Sequence, residues 1–164
     1  MTRPEATDFV IREDDLTDPA VIALLESHLA DMASHTPAES VHAMPVERLT
    51  GPDITFWTMW AGDRVVGCGA LKEIDRRHGE VKSMRTSDDA RGQGIGGLLL
   101  DHLLAEARRR GYVRVSLETG SNEPFEPARR LYARRGFSTC EPFGDYVLDP
   151  WSVFMTKELP PPAR

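Results

Sequence analysis

The stretch Arg91-Gly92-Gln93-Gly94-Ile95-Gly96-Gly97 is the part of this sequence that decides the fold. It follows a segment typical of a β-strand and opens a segment with the apolar periodicity of a helix. Glycines in such a turn let a ligand approach the backbone closely, and the N–H groups and positive dipole end of the helix favour a bound phosphate. The sequence therefore predicts a phosphate or pyrophosphate site over residues 91–97.

This turn has three alternative interpretations. Read as G-x-G-x-x-G, the glycines also match the dinucleotide fingerprint, and Glu118 lies near the position of the ribose-binding acid. Against the dinucleotide interpretation, the turn follows four strand-like segments, and a polar stretch at 87–90 separates the strand from the glycines. In addition, too few residues follow Gly97 to form the rest of a dinucleotide-binding domain. A P-loop is excluded because no Gly-Lys-Ser/Thr follows. A simple flexible loop is the remaining alternative.

Outward from the turn, strand-like and helix-like periods alternate, which indicates an α/β or α+β architecture. The helix after the turn ends at Gly111. Asp18 and Pro19 indicate the start of an earlier helix, as an N-cap followed by proline. His28 falls on the apolar stripe of that helix and is predicted to be a core or boundary histidine with satisfied hydrogen bonds. The predicted elements are strands at 9–12, 54–60, 64–71, 79–86, 113–117, 137–140 and 152–158, and helices from 19, over 95–110 and over 127–135.

Composition limits the class of protein. The 164 residues predict one domain over 1–164, with a Pro-rich tail at 160–164 that frays. The net charge of -6 argues against a nucleic-acid or anionic-membrane partner. Two cysteines without C-x-x-C spacing predict neither a disulfide framework nor a metal site. The sequence has no apolar signal-peptide core or membrane span, so a cytoplasmic location is expected.

Two motifs together resemble the GNAT superfamily of acetyl-CoA-dependent N-acetyltransferases. Arg91, Gly94 and Gly96 fit the main motif, Q/R-x-x-G-x-G/A, and residues 132–137 (YARRGF) fit a second signature, Y-x-x-x-G-F, at the end of the next helix. The order of elements from 9 to about 158 matches as well. The resemblance implies a mixed, mostly antiparallel central sheet flanked by helices, whose fourth and fifth strands splay apart.

The sequence further resembles a bacterial subgroup described only as acetyltransferases. The shared runs are residues 39–43, 69–73, 82–85, 117–120 and 142–146, followed by Asp149-Pro150. One departure stands out. Many family members carry Asn seven residues before the motif tyrosine, whereas this chain has Phe125. A contact made by that Asn cannot be transferred to this chain.

The resemblance implies that an amine attacks the thioester of acetyl-CoA directly, in a ternary complex. The pantetheine arm would lie along Met84, Arg85 and Thr86, in the gap between the splayed strands. The pyrophosphate would lie on the amides of residues 92–97, with Arg91 completing the motif. A backbone N–H near Met84 would stabilise the tetrahedral oxyanion.

The chemistry also needs two proton transfers, because a primary amine with a pKa of about 10 is protonated at pH 7. Glu80, at the start of the fourth strand, is the candidate base, directly or through water. The alternative is a structural ion pair between Glu80 and Lys82. Tyr132 is the candidate acid for the departing CoA thiolate, and plain packing is its alternative.

The acceptor is a small-molecule amine in this interpretation. Lys82 and Arg85 could pair with a substrate carboxylate, which favours an amino acid, although strand-surface ion pairs explain them equally well. His42 and Tyr146, each in a loop, are expected to close over the acceptor. Rival hypotheses are a catalytically silent CoA-binding or sensing module, a protein-lysine acetyltransferase and a nucleotide-dependent oxidoreductase. Related folds often dimerise, so a homodimer is a further expectation.

Overall fold

The computed structural model describes residues 8–42 and 44–160. Apart from Pro160, the tail predicted to fray lies outside these residues. Within them the chain forms seven strands and three α-helices. The strands are β1 (Phe9–Glu13), β2 (Ile54–Ala61), β3 (Arg64–Asp75), β4 (His78–Thr86), β5 (Arg114–Gly120), β6 (Ser138–Thr139) and β7 (Ser152–Glu158), and the helices are α1 (Pro19–His35), α2 (Ile95–Arg109) and α3 (Glu126–Arg134).

The start of α1 follows the predicted capping chemistry. Asp18 is the N-cap of α1, where its Oδ1 accepts a hydrogen bond from the backbone N–H of Ala20 at 2.9 Å. Short 3-10 turns at Ala38–Ser40, Val46–Thr50, Asp88–Ala90 and Glu123–Phe125 join the larger elements. No helix within the described ranges is long and apolar enough to cross a bilayer.

The seven strands form one mixed sheet in the order β1-β2-β3-β4-β5-β7-β6. Five of the neighbouring pairs are antiparallel and one, β4 with β5, is parallel. The parallel pair arises because α2 carries the chain from the end of β4 back to the start of β5, which is the crossover connection that parallel strands require. The predicted mixed, mostly antiparallel sheet flanked by helices is confirmed.

The predicted splay between the fourth and fifth strands is also confirmed. Pairing between β4 and β5 runs from His78 opposite Arg114 to Val81 opposite Leu117 and then stops. Both strands continue, to Thr86 and to Gly120 respectively. In the same region the register of β3 on β4 shifts, and Ser83 adopts a φ of +55°. A bulge of this kind bends a strand and re-aims its side chains, so β4 turns away from β5.

Two apolar layers cover the sheet. On one face, α2 packs against Leu71, Val81, Val115 and Leu117, all under 5% exposed. On the other face, α1 packs against the β2–β3 end of the sheet through a cluster that includes Phe56, Trp60 and Ala70. Because side chains alternate along a strand, Glu80 and Lys82 of β4 lie on the face opposite Val81 and α2, and Glu118 of β5 lies on the face opposite Leu117 and α2.

Candidate active site

A cavity of about 820 Å³ opens where β4 and β5 separate. Its walls come from α1, residues 40–42 with Met44, β4, the turn before α2, β5, α3 and residues 140–151, called below the 140–151 segment. The predicted site residues that line it are Glu80 and Tyr132; Met84, Arg85 and Thr86; Arg91, Gly92, Gly94, Ile95, Gly96 and Gly97; and His42, Lys82 and Tyr146. Gln93 is the one predicted site residue that does not line the cavity. Folding therefore brings residues from seven separate segments to one place.

The glycine turn forms one end of the cavity. Gly92 and Gly94 have φ angles of +82° and +77°, a conformation that residues with a Cβ rarely adopt. Gly94 is the N-cap of α2 and makes no side-chain cap. The first hydrogen bond inside the helix runs from the N–H of Leu98 to the carbonyl of Gly94 at 3.1 Å. The N–H groups of residues 95–97 are thus available at the positive end of the helix dipole, which fits a pyrophosphate.

A buried polar cluster forms the other end. The Tyr146 hydroxyl donates to Glu80 Oε2 at 2.6 Å, and Lys82 Nζ donates to the same oxygen at 3.0 Å and to the Tyr146 hydroxyl at 2.9 Å. The side chains of Glu80 and Lys82 are only 4% and 9% exposed. Burial, and then the Glu80 carboxylate, raise the pKa of Tyr146 far above its ordinary value, so its hydroxyl stays protonated. The ion pair between Glu80 and Lys82, the structural alternative for Glu80, is present.

Aromatic contacts hold the 140–151 segment over this cluster. The ring of Tyr146 lies 5.1 Å from Phe143 and 5.4 Å from Phe154 of β7. The ring of His42 meets Tyr146 edge-on at 5.2 Å. His42 and Tyr146 come from loops separated by about a hundred residues of sequence, and these contacts bring them together on one wall of the cavity.

Tyr132 lies on α3, close to the end of the helix. Gly136 ends that helix with a φ of +92°, and the N–H of Phe137 donates back to the carbonyl of Tyr132 at 3.0 Å, which is the hydrogen bond of a Schellman motif. This explains the Y-x-x-x-G-F spacing, since the buried Phe137 packs against the Tyr132 ring at 5.9 Å. Burial, and next the charge of Glu118, raise the pKa of Tyr132 to about 12.

The model of the acetyltransferase (GNAT) family matches residues 21–137, which contain the splay, the glycine turn and Tyr132. The chain belongs to the acetyltransferase (GNAT) family. It is 56% identical to YsnE of Bacillus subtilis, an uncharacterised N-acetyltransferase, over 91% of this chain and 99% of YsnE. It is 40% identical to the IAA acetyltransferase of Azospirillum brasilense, over 92% of this chain and 97% of that protein.

Solved structures agree on the fold of this acetyltransferase. A GNAT family acetyltransferase from Elizabethkingia anophelis, solved with acetyl-CoA bound, superposes with a TM-score of 0.66 over 93% of this chain and 99% of that one. At 16% identity this likeness shows the fold alone. Together with the relatives, it establishes that the chain is an acyltransferase with the GNAT fold.

Arg85 points away from the polar cluster of this acetyltransferase. Its guanidinium, 9% exposed, pairs with Asp31 of α1 at 2.9 Å and reaches Ser27 at 3.3 Å. The Arg85 side chain is thus engaged by a helix rather than by a neighbouring strand, whereas its backbone lies along the gap. His28, beside it, is buried as predicted, but its Nδ1 has no hydrogen-bond partner among the described residues. Burial, with the Arg85 charge, lowers the pKa of His28 to about 4.

Phe125, at the position where many family members carry Asn, packs against the backbone of Gly120. A Cβ added to Gly120 would lie 2.2 Å from Phe125 Cδ2, so only glycine allows this approach. The polar contacts come from Arg129 instead, whose Nη1 donates to the carbonyls of Gly120 at 2.7 Å and Asn122 at 3.0 Å. A long cation one turn into α3 thus ties this helix to the end of β5.

Glu118 also lines the cavity, although the sequence analysis assigned it no role in an acetyltransferase site. It lines the cavity at the point where β5 leaves β4. Burial raises the pKa of its carboxyl, while Ser152, His42 and Lys82 act in the opposite direction. The signal was present in the strand period, because alternation with Leu117 places Glu118 on the face that carries Glu80 and Lys82.

Proposed function

We propose that this acyltransferase moves the acetyl group of acetyl-CoA to a primary amine of a small molecule, by direct attack in a ternary complex. The observation that carries the proposal is the gap between β4 and β5. It joins the anion-binding turn at residues 91–97 to the buried polar cluster within one cavity. A donor bound at the turn and an acceptor bound at the cluster can therefore meet inside the protein, away from water.

The donor half of the proposal rests on backbone chemistry. The unbonded N–H groups at the start of α2 fit the pyrophosphate of acetyl-CoA. The edge of β4 that faces the gap, at Met84, Arg85 and Thr86, has lost its pairing with β5 and offers peptide groups to a pantetheine arm. The acetyl-CoA bound in the Elizabethkingia anophelis structure supports this choice of donor.

The acceptor half rests on enclosure and charge. The cavity volume is within the usual range for small-molecule sites, roughly 300–1,000 Å³, and the 140–151 segment covers its acceptor end, which favours a small molecule over a protein lysine. Lys82 uses two of its three donors within the cluster, so one is left for a carboxylate such as that of an amino acid. The A. brasilense relative, an IAA acetyltransferase, supports a small acceptor.

Tyr132 serves as the acid in this proposal. With a pKa of about 12 its hydroxyl is protonated at pH 7 and can deliver a proton to the CoA thiolate as the C–S bond breaks. Glu80 is the sequence-based candidate for the base. Its Oε2 already accepts hydrogen bonds from Lys82 and Tyr146, which leaves only Oε1 for a water or the amine.

Titration calorimetry with acetyl-CoA, CoA and NADH tests the donor, and thiol release over a panel of amines tests the reaction. We expect binding of acetyl-CoA that NADH does not match, and turnover with some small amines. Tyr132→Phe should lower kcat by about 10²-fold or more, with unchanged acetyl-CoA binding. Tyr112→Phe, which alters a buried tyrosine outside the cavity lining, is the matched control. A chain that does not bind CoA contradicts acetyl-CoA as the donor. Turnover of Tyr132→Phe within twofold of wild type contradicts the role of Tyr132 as the acid. The cytoplasmic location and the homodimer stay predictions.

A further inference from the structure

We infer that Glu118 accepts the proton from the acceptor ammonium, while Glu80 is a positioning residue that holds Lys82 and Tyr146 beside it. The inference rests on the proposed function, because it assigns one step of that reaction to a residue of the same cavity.

The position of Glu118 in the sheet is the first argument. Val81 and Leu117 form the last pair between β4 and β5, so Lys82 and Glu118 are the first residues beyond it on either strand. Both side chains lie on the face opposite α2, and both line the cavity. A carboxylate at this point stands at the opening of the gap where donor and acceptor would meet.

The engagement of Glu80 is the second argument. Its side chain is 4% exposed, and its Oε2 accepts hydrogen bonds from both Lys82 and Tyr146. If Glu80 took a proton, the buried ammonium of Lys82 would lose its counter-charge. Leaving one member of a buried ion pair uncompensated is strongly destabilising. Glu80 is therefore suited to organise the cluster and poorly suited to gain and lose a proton in every turnover.

The charge around Glu118 is the third argument. The groups that face it are Glu80 and Lys82 from β4, His42 from the chain around 40–44, Tyr146 from the 140–151 segment, and Tyr132 from α3. Among the described residues, Glu118 forms no salt bridge, because the one nearby ammonium pairs with Glu80. Two carboxylates thus share a single cation. An incoming ammonium balances the second carboxylate, and burial raises the pKa of Glu118 toward that of a useful base.

Proximity to the acid is the fourth argument. Glu118 is the charged group that raises the pKa of Tyr132. Both side chains line the same cavity, so one reacting centre can lie between the carboxylate and the hydroxyl.

The proton balance is then complete. The ammonium gives one proton to Glu118, which later releases it to solvent. The free amine nitrogen forms the C–N bond with the thioester carbon, and the carbonyl electron pair moves to the oxygen. On collapse the C–S bond breaks with its electron pair on sulfur, and Tyr132 donates a proton to the thiolate. The second nitrogen proton leaves the tetrahedral adduct and restores the Tyr132 hydroxyl. The net products are the amide, CoA and one proton.

The test is the pH profile of kcat, measured by thiol release at saturating amine. Wild type should lose activity on the acid side at a pH above the ordinary glutamate range. Glu118→Gln should lower kcat by about 10²–10⁴-fold and abolish this acidic limb. Glu80→Gln should keep the limb while raising the acceptor KM. Glu141→Gln, an exposed carboxylate of the 140–151 segment, is the control and should behave as wild type.

Separate outcomes overturn separate claims. A wild-type chain that releases no thiol with any amine overturns the proposed function and the inference with it. The inference alone is overturned if wild type releases thiol and Glu118→Gln both keeps the acidic limb of the pH profile and has a kcat within tenfold of wild type. Loss of the limb in Glu80→Gln also overturns it. If Glu118→Gln fails to bind acetyl-CoA in calorimetry, Glu118→Asp replaces it. That variant should retain the limb at reduced kcat, and an unreduced kcat would contradict the assignment.

Discussion

Removal of the Tyr146 hydroxyl is the perturbation that tests the buried polar cluster most directly. In Tyr146→Phe, Glu80 loses a donor at 2.6 Å and Lys82 loses an acceptor at 2.9 Å, while their mutual contact at 3.0 Å stays. Each hydrogen bond to a charged group contributes about 1.5–3 kcal/mol. Because the two bonds share one hydroxyl, their contributions do not simply add, and we expect a loss of about 3 kcal/mol in the free energy of unfolding.

This loss is measurable in two independent ways. For a chain of this length, 1 kcal/mol shifts Tm by about 2–4 °C, so Tyr146→Phe should lower Tm by about 6–12 °C in calorimetry. Urea titration should report the same loss as a lower midpoint with an unchanged slope. The pKa of Tyr146 is raised, so the stability from its hydroxyl is present below pH 10, the ordinary tyrosine value, and is lost as the pH rises toward the folded pKa.

Tyr112→Phe is the matched control. Tyr112 donates to Glu73 at 2.8 Å, a similar bond, but Glu73 is exposed and regains water when the hydroxyl is removed. We expect this control to lose under about 1 kcal/mol. Equal losses in the two variants, or a loss below about 1 kcal/mol in Tyr146→Phe, would refute the claim that Glu80 and Lys82 are buried partners of one hydroxyl.

Three further changes test other parts of the site. His42→Ala should raise the acceptor KM and spare acetyl-CoA binding in calorimetry; weakened acetyl-CoA binding alone would contradict its position at the acceptor end. Folding lowers the pKa of His28 from 6.5 to about 4, so this side chain contributes a loss of about 3 kcal/mol of stability as the pH drops from 6.5 to 4. In urea titrations, wild type should lose about 3 kcal/mol more than His28→Asn over this range, and equal losses would contradict the shift. Gly120→Ala forces the Phe125 ring to move and should cost about 1–3 kcal/mol in unfolding free energy, and an unchanged Tm would count against the close packing.

Local chemistry explains the parts of the fold that were predictable. The positive φ of Gly94 and Gly136, the cap at Asp18 and the alternation along the strands depend on residues within one or two turns of each other. Such features can be predicted from a sequence because the interacting residues are close together in it. The two glycine-containing motifs, through the family that they resemble, therefore led to the turn at residues 91–97, to Tyr132 and to the splayed sheet.

Contacts between residues far apart in the sequence explain the parts of the fold and the site that were not predictable. The hydroxyl that meets Glu80 comes from a residue 66 positions later, and the carboxylate that pairs with Arg85 comes from one 54 positions earlier. Nothing in the residue types decides which partner each takes, since that depends on strand register and on how far the 140–151 segment folds back. In the same way, only the end of pairing at Leu117 reveals that Glu118 stands at the gap.

The sequence by itself thus determined the elements, the glycine turn before α2 and the position of Tyr132 at the end of α3, because short-range hydrogen bonding and periodicity govern them. The tertiary structure decided the rest. In the folded chain the Arg85 guanidinium pairs with Asp31 of α1. Glu80 contacts both Lys82 and the Tyr146 hydroxyl, and Glu118 has no salt-bridge partner among the described residues. The physical reason is that a buried charge takes its character from whichever groups the fold brings within hydrogen-bonding distance.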